Sequence, residues 1–575
     1  MKGLLPVLFL CTALASPALA ETEVDRIMTA AEQGLITTDQ EALYLVYTVR
    51  NRDALPSDFT EGAEYEPCGT VALHEAELLM DRVSAPIREE ILDLLPRPTL
   101  SGPEYTYDTP GGFFKIHWTD SGIDASSLGY AQSLGGYFDF IYPYECDTLG
   151  YFEPPPDNMV GGDNRYDIYI LECGGGTLGY TSCGGEYKPP DSTHLCSASF
   201  IAMDNDNSVN LSKVTGAHEF QHAVQMSYDY LESTWYMENC AVWMEDQVYD
   251  DINDYVSYLT GGDNPIRRPW YDIRSAAMYW YGASIWPRYQ WLRISIDAVR
   301  EVWELCAATT GNNTQQATED MFANHGMTLE QGFMEYSCWR WFVKNNWYSG
   351  CGMFDDEAVM WGTPYVFGYH NHTSLPATGD EGIYDPETYG IAWIKVDLAN
   401  YQDGWINMAF DGRDYFEWDL GAILWLESGD HQYAWYDCDP NTGEIDVAVQ
   451  GSGWDYVIFV VAFISETSIT HYYDYEITYQ TGIEEGAETP AAMDIRVSSN
   501  PLGAGGTIEF DIPSTAAARM DVFDLSGRVV ATLVDGELAA GTHTVGYDGG
   551  LQTGTYFLRL CSGNQVTCSK VVLAE

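Results

Sequence analysis

The sequence predicts a multidomain chain: a helical N-terminal segment, an α+β domain, a β-sandwich and a last β module. Three observations carry this reading. HEFQH, at positions 218–222, lies in a helical stretch that follows short strand-like runs such as YDIYIL, 166–171. Past about Asp380 the texture changes to alternating runs between turns, with GIAWIKVDL, AILWLES, DYVIFVVAFI and HYYDYEITY at sandwich-like spacing. A small, acidic, flexible stretch, TGIEEGAETPAA, then separates those runs from the final module. The expected boundaries are 1–20 for a signal peptide, 21–103 for a helical N-terminal region or pro-region and 104–375 for the catalytic domain. The β-sandwich takes 376–482, the linker 483–492 and the C-terminal domain 493–575.

In chain order, Lys2, the apolar run Leu4–Leu14 and the small-x-small site Ala18-Leu19-Ala20 read as a secretory signal. The run is too short to span a bilayer, and no later stretch has enough uninterrupted apolar residues. The expected location is therefore extracellular or attached to the cell surface. Without Cys11, twelve of the 13 cysteines remain for an oxidising compartment, so disulfides are expected. Cys561 and Cys568, flanking the turn SGNQ, are the expected pair. Cys173, Cys183 and Cys196 have two readings, disulfides or a second metal site.

A formal charge of −60, from 86 acidic and 26 basic residues, excludes nucleic acid and anionic membrane as partners. Extracellular solubility accounts for it, and structural Ca2+ is a second reading. Asp437, Asp439 and Asn441 follow a calcium-loop order, but Gly443 falls one place late, so a hairpin turn is expected there. For Asp204, Asn205 and Asp206 the expectation is an Asx-rich turn.

Residues 21–103 carry helical spacing, interrupted at GLITT, where a Thr-Asp pair can restart a helix. Cys68 in EPCGTV has two readings, a disulfide partner or a thiol capping a metal from a pro-region.

His218 and His222, four apart on a helix, share one face and can reach one metal ion, with Glu219 placed to act on water. Phe220 and Val224 make the opposite side of that helix apolar, so histidines buried there need partners for their nitrogens. The third ligand sets the subclass. Tyr228 stands where a metzincin has its third His, and Gln225 where it has Gly, which excludes that class. Glu238 and Glu245 lie seven apart on a helix with apolar neighbours, and two carboxylates on one buried face need a cation or donors. Zn2+ bound by His218, His222 and Glu238, with Glu245 hydrogen-bonded to a ligand histidine, satisfies both.

HEFQH followed by E-x-x-A-x-W-x-E resembles the gluzincin clan of zinc metallopeptidases, matching at Glu238, Ala241 and Glu245. DIYIL, AHEFQHAVQ and W-x-x-E-x-x-A-x-W-M-E-D resemble a group of exported bacterial metallopeptidases. The resemblance implies a gluzincin-like α+β catalytic domain and one catalytic Zn2+. Glu219 would be the general base, and Tyr279, in YWYGA, the donor to the oxyanion. The clan's amine-binding Gly-x-Met-Glu-Asn segment is absent, so the activity implied is that of an endopeptidase on protein or peptide substrates. TIEFDIP, MDVFDLSGRVVATL, AGTHTVGYDG and GTYFLRL resemble the type IX secretion sorting domain, with a related Ig-like β-sandwich of no sorting role as the second reading. That likeness implies secretion machinery as a partner. The competing expectation is a surface adhesin or structural protein with a vestigial zinc site.

Overall fold

The computed structural model describes residues 21–573 except 191, 276–277, 380–384, 468–471, 482–492, 498–501, 504–505, 514–515, 524–527, 540, 548 and 563–564. The signal segment, the linker 483–492 and Cys11 lie outside the described residues.

Helices come first, and the first two begin with a side chain that satisfies an orphan N–H. Thr22 and Asp25 form a capping box on α1 (Glu23–Glu32), and Thr37 with Gln40 does the same for α2 (Thr38–Arg50). Between them Gly34, at φ +68°, makes the turn that ends α1. A short α3 (Ser57–Thr60) precedes α4 (Thr70–Leu79) and α5 (Ala85–Leu94). Ser84 and Pro86 split these last two where the sequence reads as one helical segment, because proline favours a helix's first turn over its interior.

A five-stranded sheet follows, in the order β1-β2-β3-β5-β4. It comprises β1 (Tyr105–Asp108), β2 (Phe114–Trp118), β3 (Tyr166–Leu171), β4 (Gly179–Ser182) and β5 (Phe200–Asp204). The central β2, β3 and β5 run parallel, and β4 is antiparallel to β5 at one edge. Alternation divides the strands between two cores. Ile168, Ile170, Ile201 and Met203 face α6 (Leu128–Tyr142) and α7 (Val209–Gln225). Tyr169, Leu171, Phe200 and Ala202 face the N-terminal helices, whose Val24, Ile27, Val46 and Val71 pack there. Both faces are covered, so the strands read as continuous apolar runs instead of alternating ones. The region 21–103 is thus one layer of this sheet's packing.

Helices continue with α8 (Thr234–Val248), which packs on α7, then α9 (Val256–Thr260), α10 (Met278–Gly282) and α11 (Ile285–Arg293). After them come α12 (Ile296–Ala308), α13 (Thr314–Asn324) and α14 (Leu329–Trp339).

The β region opens with β6 (Asn371–His372), β7 (Ala377–Gly379), β8 (Gly390–Asp397) and β9 (Gly404–Gly412). It goes on through β10 (Trp418–Leu426), β11 (Asp430–Asp437), β12 (Glu444–Gln450), β13 (Tyr456–Phe463) and β14 (Tyr473–Thr481). The last module holds β15 (Ile495–Val497), β16 (Gly506–Ile512), β17 (Ala516–Phe523), β18 (Val529–Leu538), β19 (Gly541–Tyr547), β20 (Gly554–Ser562) and β21 (Gln565–Leu573).

Two sandwiches result. β12-β9-β14-β7 packs on β8, β10 and β13 around Ile394, Met408, Leu420 and Phe459. β15-β16-β19 packs on β17, β20 and β21 around Phe510, Met520, Leu558 and Val571. They share one nine-stranded sheet, because β11 pairs with β21 through Ala434↔Thr567 and Trp435↔Val566. The chain is therefore a multidomain mixed α/β protein with several sheets.

Three expectations change here. The twelve described cysteines are all free thiols. Cys561 sits opposite Val566 and Cys568 opposite Arg559, so the expected pair is diagonal across the ladder, where side chains stand too far apart for a disulfide. The loop at Asp439 is an Asx turn, its Oδ1 accepting from the N–H of Asn441 (2.8 Å). It joins β11 to β12, which lie in different sheets, so it is not a hairpin.

His74 on α4 ties this layer to the loop joining α7 and α8, its Nε2 lying 2.7 Å from the Glu232 carbonyl. Burial pushes its pKa down to about 4. A histidine depressed when folded contributes stability that is present above about pH 6.5 and is lost as pH falls toward 4. Urea unfolding at a series of pH values should show wild type losing ground to His74→Gln over that window, by about 1.4 kcal/mol per pH unit. A constant difference between the two would exclude this coupling.

Candidate metal centre

Ser208 starts α7 by accepting from Leu211 N–H, and the helix then carries His218, Glu219 and His222 toward α8. The four-residue spacing stacks the two imidazoles, with ring centroids 4.7 Å apart. Glu238 on α8 reaches between them, Oε2 lying 3.2 Å from His218 Nε2 and Oε1 3.1 Å from His222 Nε2. These atoms are buried, yet both Glu238 oxygens and His218 Nε2 are left without a properly aligned hydrogen bond. The donors converge on a common point, with Glu238 at ion-pair distance from both imidazoles.

The outer nitrogens are held. Glu245 Oε1 lies 2.7 Å from His218 Nδ1. Gln225 Oε1 lies 2.8 Å from His222 Nδ1, and the same amide donates to the Met237 carbonyl on α8 at 2.9 Å. Each imidazole is thereby oriented with Nε2 inward. Glu219 Oε2 accepts from Thr70 Oγ1 (3.0 Å) and Thr181 Oγ1 (2.8 Å), one hydroxyl from α4 and one from edge strand β4.

A fourth group completes the cluster. Cys68 Sγ donates to Glu219 Oε1 at 3.2 Å and lies 3.5 Å from His222 Nε2. One ligand atom from each of Cys68, His218, His222 and Glu238 falls within 4.8 Å of every other, and all four residues are buried. Two imidazoles, a carboxylate and a thiol are a donor set that zinc takes, at tetrahedral count.

Charge is arranged accordingly. Burial raises the Glu238 carboxyl, and the facing His222 and His218 together outweigh it and bring the net shift down. Burial lowers His222, and the Glu238 carboxylate together with Cys68 reverses this to a net rise. Burial and the Glu219 carboxylate push the Cys68 thiol up. Glu245 is raised to about 7 by burial, against the opposing pull of His218.

Of the residues singled out from sequence, His218, Glu219, His222, Glu238 and Glu245 come together, and Tyr279 does not. Its hydroxyl donates to the Arg268 carbonyl (3.3 Å), away from the cluster. Tyr281, two positions on and so on another face of α10, stacks on His218 with centroids 6.1 Å apart. Gln225, Thr70 and Thr181 were not legible as site residues, though an amide three residues past the second histidine is a local signal for Gln225. A second acidic group, Asp246, Asp250 and Glu357, already has a cation in Arg288, which pairs with Asp246 and Glu357.

Comparison with known proteins gives no family model that matches and no curated protein that matches. Solved structures do match in part. A Faecalibacterium prausnitzii beta-glucuronidase is 15% identical over 32% of this chain and 37% of its own, at TM-score 0.12. Beta-glucuronidase 3 of Bacteroides uniformis is 10% identical over 33% and 28%, at TM-score 0.13. A beta-1,2-glucanase from Parabacteroides distasonis is 8% identical over 37% and 40%, at TM-score 0.13. The chain thus spans well under half the length of each. These neighbours are glycoside hydrolases, which corrects the expectation of a gluzincin zinc endopeptidase with a sorting domain. That membership and that activity are set aside. At such TM-scores the likeness brings no activity of its own.

The cluster makes a direct demand on its supporting residues. Glu245→Gln should weaken zinc affinity by about 10–100-fold, because it loosens the orientation of His218. Tyr279→Phe should leave that affinity unchanged. Competition against a chromogenic chelator measures both, and equal affinities for wild type and Glu245→Gln would contradict the arrangement.

Proposed function

We propose that this chain is a metal-dependent hydrolase whose His218, His222 and Glu238 hold one divalent ion, zinc by donor type, with Glu219 as the proton acceptor. The observation that carries the reading is the set of buried, inward-facing Glu238 oxygens and His218 Nε2 without aligned hydrogen bonds. Buried groups of this kind are costly unless a cation meets them. Zinc held by such residues supplies Lewis acidity, polarising the bond to be broken and bringing the pKa of water toward neutrality.

The chain's own residues do the rest. Glu245 and Gln225 fix the imidazoles, Thr70 and Thr181 hold one oxygen of Glu219, and the other oxygen faces the cluster. That oxygen is the proton acceptor, and the proton it takes is returned to the leaving group. The bond class is left to experiment. In the same reading the chain is exported, as Lys2 and the apolar run Leu4–Leu14 suggest.

Metal analysis and a panel of ester, glycoside and amide probes test this. In a Cys68→Ala background, which frees Glu219 of its thiol contact, Glu219→Gln should keep one zinc per chain and lower hydrolysis by roughly 10²-fold or more. Folded protein that retains no zinc, or rates indifferent to Glu219, would refute the reading.

A further inference from the structure

We infer that Cys68 is a fourth ligand that holds this metal centre closed, and that the strand-like segment around it, not the whole helical layer, is the part that moves to open it. The inference rests on the metal reading above and deepens it.

Cys68 is not an isolated thiol. Its sulfur shares the buried space into which Glu238 and His218 aim their unaligned polar atoms. Hydrolytic zinc sites keep one position open, whereas four protein ligands close the shell. With the sulfur 3.2 Å from Glu219 Oε1, the thiol would pass its proton to that carboxylate on ligating, so one side chain occupies both the ligand position and the proton acceptor. In this conformation the centre is shut.

How it opens follows from what holds each part. Removing residues 21–103 would strip Tyr169, Leu171, Tyr180, Phe200 and Ala202 of the helices that cover them. It would also take Arg97, which pairs with Asp157, Asp167 and Glu186 in a nearly dry network. The segment carrying Cys68 is held far more lightly. It lies along β4, the sheet's edge, through Leu178 N–H to the Pro67 carbonyl (2.8 Å) and Gly69 N–H to the Gly179 carbonyl (2.9 Å). Thr177 Oγ1 adds a bond to the Glu66 carbonyl (2.9 Å). A few bonds on an edge strand can be broken locally while the core stays intact. On opening, Cys68 would take its proton back from Glu219 as its sulfur withdraws, leaving the ligand position to water and Glu219 free to accept a proton.

Cobalt(II) provides a readout independent of turnover. Full-length protein loaded with Co2+ should bind one ion and show near-ultraviolet thiolate-to-cobalt charge-transfer absorption. Cys68→Ser should bind one ion without that absorption. Cys68→Ala should hydrolyse p-nitrophenyl acetate at least tenfold faster than wild type. One bound cobalt without the absorption in wild type would refute Cys68 as a ligand and leave the metal centre standing. No bound cobalt at all would bring down the metal reading as well. The absorption present, but no gain in rate for Cys68→Ala, would refute closure by the thiol.

Discussion

Burying two carboxylates and two imidazoles between two packed helices is the constraint on which the rest of this structure depends. Glu238 and Glu245 sit on α8 with apolar residues around them, and bare carboxylates in such a place would be very costly. The fold offsets that cost by facing them with His218 and His222 from α7 and by leaving the inner atoms directed at one point. Everything near them serves that placement. Gln225 joins the His222 ring to the Met237 carbonyl, so α7 and α8 are locked in register by the same amide that orients a ligand. Glu219 is steadied from the other side by hydroxyls on α4 and β4, which makes the N-terminal layer part of the site.

Much of this was legible in the sequence because helical periodicity is a local property. The spacing of His218 and His222, and of Glu238 and Glu245, fixes which side chains share a face without knowledge of the tertiary fold. What was not legible depends on contacts distant in sequence. Tyr279 and Tyr281 are equally aromatic and buried, and only the roll of α10 against α8 decides which one meets His218. Cys68 is about 150 residues from the histidines it approaches, and no periodicity marks a loop residue as their neighbour. The cysteines pointed to disulfides by number and compartment, yet none of the twelve described is bonded, most being buried as small apolar side chains.

The same distinction holds for the fold. β8, β10, β13 and β14 announce themselves as runs with β texture, and β8, β10 and β13 are richly apolar because helices cover one face and a second sheet the other. The region 21–103 reads correctly as helical, but its packing on the sheet face of Tyr169 and Phe200 could not be read from its own periodicity. The join between β11 and β21 is likewise silent, since strand edges carry no pattern that names their partner.

That join has a consequence for how the C-terminal part can be separated from the rest. A chain cut within 482–492 would still be held through Ala434↔Thr567 and Trp435↔Val566, and Val566 also belongs to the core of the helical region. Pulling the module away would leave β11 and β21 as two bare, complementary rims, each able to zip onto the matching rim of another molecule. Detachment would therefore favour reciprocal exchange between molecules over release of a lone fragment.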